Sequence, residues 1–89
     1  MSEATRYLAR VQVSLKSTVN DPEGTTIAGA LGNLGFGGVE SVRSGKYFQV
    51  VISAQNKEKA GKLVDDMCAR LLANPVIETY SYEVEALAE

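Results

Sequence analysis

The densest glycine stretch of the chain, Gly32-Asn33-Leu34-Gly35-Phe36-Gly37-Gly38, is where a phosphate-binding loop would be sought. Such loops place glycine at fixed positions so that the backbone can turn tightly and approach the phosphate. A dinucleotide fingerprint beginning at Gly35 requires Gly or Ala at position 40 and a strand before it; Glu40 and a helical pattern stand there instead. A loop ending in Gly45-Lys46 would need Gly at position 40 and Ser or Thr at position 47, and meets Glu40 and Tyr47. The stretch reads as a flexible connection between a helix and a strand. Cys68, the one cysteine, lies in an apolar stripe with no base beside it, which marks a buried structural thiol rather than a nucleophile. Asp65 and Asp66 are adjacent, so on a helix they point about 100° apart and form a solvated face rather than a metal site. The chain has no histidine. That removes Ser-His and Cys-His nucleophile pairs, imidazole zinc sites and the side chain best suited to proton transfer near neutral pH. No catalytic, cofactor-binding or metal-ligating residue is assigned.

Arg43, Lys46 and Tyr47 form the most suggestive polar group. They read as a contact patch, with Arg able to make a forked bond to a carboxylate or phosphate. RNA-recognition domains stack bases on their third strand, but Gly45-Lys46-Tyr47-Phe48-Gln49-Val50 does not reproduce their motif. Nine basic residues against eleven acidic ones give a net charge of −2, without the positive field that a phosphate backbone needs. The expected partners are therefore proteins, not nucleic acid.

The elements that must carry these residues follow from periodicity. Tyr7 to Leu15 alternates, with Tyr7, Ala9, Val11, Val13 and Leu15 on one face, as in a half-buried strand. Asn20-Asp21-Pro22-Glu23-Gly24 carries turn chemistry. A helix is expected near Thr25 to Leu34, with Ile27, Ala30, Leu31 and Leu34 as its apolar stripe and Gly35 as its C-terminal cap. Val39 to Ser44 reads as a second strand and Tyr47 to Ser53 as a third, joined by a tight turn at Ser44-Gly45-Lys46 with Gly left-handed. A longer helix, capped by Asn56, is expected from Lys57 to Ala73. Its stripe is Ala60, Leu63, Val64, Met67, Cys68, Leu71 and Leu72. Asn74-Pro75 stops it, and a last strand runs from Glu78 to Val84.

The order β-α-β-β-α-β predicts an α+β, ferredoxin-like sandwich: a four-stranded antiparallel sheet with two helices on one face. Its open face would carry Leu8, Tyr47 and Val51, a candidate association surface. At 89 residues one domain, 1–89 with a core of about 7–84, is expected. Met1 to Arg6 has no apolar run like a secretory signal, and no stretch approaches the ~20 apolar residues of a membrane span. With a single cysteine this fits a cytoplasmic protein with no membrane partner.

Val13-Ser14-Leu15-Lys16 leads into Asp21-Pro22-Glu23-Gly24. Further on stand Val39 to Tyr47, Met67-Cys68, Leu71-Leu72-Ala73-Asn74-Pro75-Val76-Ile77-Glu78 and Tyr80-Ser81-Tyr82-Glu83-Val84. In this order, over about Tyr7 to Val84, the sequence resembles the PurS family, small subunits of phosphoribosylformylglycinamidine (FGAM) synthase. The resemblance implies a place in de novo purine synthesis, where the complex converts formylglycinamide ribonucleotide, ATP, glutamine and water to FGAM, ADP, phosphate and glutamate. It implies a homodimer or higher homo-oligomer bridging a glutaminase subunit and a large synthetase subunit, assisting assembly and ammonia transfer. ATP and Mg²⁺ then belong to the complex, and no cofactor to this chain. Contacts with partners are expected at Arg43, Lys46 and Tyr47 and at Asn74, Pro75, Val76, Ile77 and Glu78. Relatives often carry an acidic residue where Gln49 stands, and the leader Met1 to Arg6 is a few residues longer than in compact relatives. The alternatives are a stand-alone ferredoxin-like module binding a small effector, which fold alone does not separate from a bridging subunit, and a small carboxylate or Tyr enzyme, which the missing histidine opposes.

Overall fold

The computed structural model describes residues 4–87, so the start of the leader, Met1 to Glu3, lies outside the described residues. Strand β1 (Thr5–Leu15) is followed by helix α1 (Pro22–Asn33), strand β2 (Gly45–Ala54), helix α2 (Lys57–Met67) and strand β3 (Glu78–Ala86). The three strands form one antiparallel sheet in the order β2-β1-β3. Register pairs Val11 with Phe48 on one side and with Tyr82 on the other. The alternation read from the sequence therefore sets all three strands to one face. Tyr7, Ala9, Val11 and Val13 are buried there, with Phe48, Val50, Ile52, Tyr80, Tyr82 and Val84 around them.

Helix α2 covers that face with Ala60, Val64 and Cys68, residues four apart and fully buried. Its i, i+4 row is the row that meets the sheet. The seven-residue stripe expected for this helix is thus narrower in fact, and Leu63 and Leu71 face outward, Leu71 with 82% of its surface exposed. Asn56 caps α2 through its side-chain oxygen, which accepts from Lys59 N–H at 2.8 Å. The helix closes in a wider π-turn, Cys68–Leu72, before Ala73.

Three expectations are corrected. First, α1 begins at Pro22, not Thr25. Asp21 is its N-cap, accepting from Gly24 N–H at 2.9 Å, and Pro22 occupies the first turn, where its missing N–H costs nothing. Second, 39–44 forms no strand among the described residues, and the sheet has three strands rather than four. Third, Gly45 lies within β2 and is not left-handed; the positive φ among the described residues belongs to Gly35, at 101°. A Cβ at position 45 would lie 2.6 Å from the Val13 carbonyl oxygen, so glycine is needed there for close approach to β1. Gly35 does cap α1 as expected, with Phe36 N–H reaching back to Leu31 C=O at 3.0 Å.

Of the two helices expected on one face of the sheet, only α2 covers it; α1 does not pack there, because its stripe residues Ile27 and Leu34 stay exposed. Gly24 is its one buried residue, and Ile27, Leu34, Phe36 and Val39 are exposed. The chain accordingly extends 60 × 30 × 14 Å with a radius of gyration of 17.3 Å. A compact domain of this length would have about 12 Å. Residues 22–42 are an arm projecting from a small α/β body.

Candidate partner interface

The arm is fastened at its root. Asp21, 4% exposed, accepts from Gly24 N–H, from Ser44 N–H at 2.6 Å and from the Ser44 hydroxyl at 3.0 Å on both oxygens. These donors, the Ser44 N–H foremost and the Arg43 charge nearby, hold the Asp21 carboxyl below its ordinary pKa against the opposing effect of burial. Arg43 donates to the Lys16 and Val19 carbonyl oxygens at 2.9 and 2.8 Å. The two chain segments that enter and leave the arm are thereby tied together.

The residues expected to meet partners share one end of the sheet but do not form one patch. Arg43 is turned onto its own backbone at the arm root. Lys46 stands 3.9 Å from Glu78 on the helix side, joining the two groups singled out from the sequence. Tyr47 lies on the opposite face, where Gln49 donates to its hydroxyl at 3.2 Å. There it borders a shallow hollow of about 400 Å³ with Arg10, Gln12, Ser81 and Glu83. Val51 of the expected open face is exposed and Leu8 half-buried. Residues 74–78 form a self-bonded turn: Asn74 accepts from Val76 N–H at 3.0 Å, and Glu78 accepts from Asn74 N–H at 2.7 Å. Its tip presents Val76, 75% exposed.

What the sequence reading missed is the arm as a surface, with Leu34 73% and Phe36 57% exposed, and the Asp21–Ser44 tie. The signal for the cap was legible, though not for the tie: Asp followed by Pro marks a helix start as well as a turn.

The site offers surfaces rather than reactive groups. Cys68 is buried, and burial pushes its thiol up, with the Asp65 charge adding to the effect. Asp65 accepts from the Tyr80 hydroxyl at 2.9 Å; that bond, followed by burial, raises the Tyr80 pKa. Among the described residues no three His, Cys, Asp or Glu side chains converge on a point that could hold a metal ion. No helix among them is long and apolar enough to cross a membrane.

Comparison with known proteins extends this picture. The family model described as PurS, phosphoribosylformylglycinamidine (FGAM) synthase, matches residues 8–86. A PurS subunit of that synthase from Synechocystis is 43% identical over 91% of this chain and 81% of its own length. The crystal structure of PurS from Methanocaldococcus jannaschii superposes with a TM-score of 0.83 at 43% identity, covering 92% of this chain and 99% of that one. A chain in the structure of PurLQS from Thermotoga maritima gives a TM-score of 0.78 at 38% identity, over 92% and 98% of the two chains. The family match over most of the chain, the identity to these subunits and the shared fold show that the chain belongs to the PurS family of FGAM synthase subunits.

Proposed function

We propose that this chain is a bridging subunit of FGAM synthase that works as a homodimer and makes or breaks no bond itself. The observation that carries the reading is the arm: a helix and a glycine-rich tip whose Ile27, Leu34, Phe36 and Val39 stand exposed among the described residues. A second copy is the occupant with the matching deficit. Residues 39–44 have the composition of a strand without a ladder, and the outer edge of β2 is a ladder without a neighbour. A four-stranded ferredoxin-like sheet has its remaining strand at that edge, so an arm from the partner copy completes there what the single chain leaves open. Such exchange is isologous and closes at two copies.

The larger partners are the glutaminase subunit and the large synthetase subunit. The solved relative from Thermotoga maritima, described as PurLQS, supports a place beside other subunits. Within the complex the reaction consumes glutamine, ATP and water; ATP and Mg²⁺ are held by the other subunits, and no cofactor is bound here. The chain assists assembly and the passage of ammonia from one active site to the other, in the cytoplasm. The exposed Val76, two residues before Glu78 of the Lys46–Glu78 pair, marks the docking end.

Reconstitution tests the proposal. The synthetase and glutaminase mixed without this chain should lose glutamine-dependent FGAM formation and regain it on adding the chain. Full activity in its absence, or turnover by the purified chain alone, would refute the bridging role.

A further inference from the structure

Resting on the second-copy reading above, we infer that Asp21, Ser44 and Arg43 are positioning residues for the dimer: together they set the direction in which the arm leaves the body. Three independent observations converge on the root. The Asp21 carboxylate takes both the N–H and the hydroxyl of Ser44. Arg43 spans the Lys16 and Val19 carbonyls. A Cβ at position 24 would lie 2.2 Å from the Val42 carbonyl oxygen, so the outgoing and returning segments touch there with no side chain between them. Among the described residues, the one buried residue of α1 is Gly24, at this root, and the helix does not pack on the sheet.

The lever is long. A helix of 12 residues spans about 18 Å, so a rotation of about 20° at the root moves its far end by about 6 Å. That displacement would carry Leu34 and Phe36 out of register with any surface they fit. The bonds at the root therefore act on association at a distance, without touching the partner.

Asp21→Asn separates this role from helix capping. Asn caps a helix about as well as Asp through its one carbonyl oxygen, but its amide cannot accept from Ser44 N–H. The measurement is the dimer dissociation constant by sedimentation, with helix content by circular dichroism and the protection of Cys68 from a thiol reagent read in parallel. Asp21→Asn should weaken dimerisation by about tenfold or more while helix content and Cys68 protection stay at wild-type values. Val64→Ala, which lowers stability in the core, should leave the constant within about threefold of wild type. Should Asp21→Asn fail to fold, Arg43→Ala, which deletes the side-chain bonds to the Lys16 and Val19 carbonyls at the same root, carries the test with the same expected weakening. An Asp21→Asn dimer as tight as wild type overturns the positioning role. A wild-type chain that stays monomeric overturns the second-copy reading along with it, and the two failures are told apart by the wild-type measurement alone.

Discussion

At the scale of single residues, the two ends of the pH range act on different bonds. Asp21 has its folded pKa lowered by the N–H groups of Ser44 and Gly24, so the stability it contributes is complete above its unfolded pKa of about 3.9 and is lost as pH falls through the folded value. Tyr80 is the reverse case. Its pKa is raised by the bond to Asp65, so its contribution is complete below the unfolded value of about 10 and is lost as pH rises. Between these limits no histidine titrates, because the chain has none. The buried Cys68 thiol, also pushed up, begins to lose its contribution above its unfolded value of about 8.5. The urea midpoint should therefore be flat from about pH 5.5 to pH 8 and fall on either side of that plateau. A step near pH 6.5 would contradict this. Residue identity also explains what the sequence did not disclose: the second oxygen of the capping Asp21 is taken by Ser44, 23 positions away. Local pattern carries the cap, but not the tie.

At the scale of elements, three of the four expected strands form and the helices were partly legible. β1, β2 and β3 follow period-two alternation because one sheet face is buried and a shift of one residue would expose it. The end of α1 at Gly35 and the start of α2 at Asn56 follow from local cap chemistry in the same way. The strand expected at 39–44 was not formed because a strand needs a neighbour, and alternation says nothing about which chain supplies it. The outward Leu63 and Leu71 were misplaced for a related reason: a stripe wider than one face of contact looks like core until the sheet it meets is known. Glycines in the two helices separate space from conformation. Gly61, in α2, has no atom within 4 Å of an added Cβ, so Gly61→Ala should raise stability by about 0.5–1 kcal/mol. Gly24→Ala would press on the Val42 carbonyl and should cost about 1–3 kcal/mol. Urea denaturation of the two variants checks both signs; equal shifts would mean that the arm root yields freely.

At the scale of the whole molecule, an elongated monomer with an uncovered arm is unfinished, and its stability is set in part by concentration. Anything that binds the folded state alone raises the apparent midpoint by mass action, and in the proposed dimer the ligand is another copy. The thermal midpoint of the wild-type chain should rise with protein concentration. Leu34→Asp with Phe36→Asp should remove that dependence and shift sedimentation to the monomer, with helix content retained. A concentration-independent midpoint in the wild type would place the arm's cover elsewhere, on another subunit of the complex.

The strand made first lies in the middle. β1 is paired along its length with β2 on one side and β3 on the other, although both follow it in the chain. A cut in the glycine-rich tip, between Phe36 and Gly37, would thus leave a shorter piece whose strand is the shared seam of the longer one. Neither piece has a sheet of its own: β2 and β3 do not touch without β1 between them. Two separately synthesised halves, each unstructured, should therefore find one another and rebuild the body on mixing, a split protein whose reassembly could be read as the return of Cys68 protection.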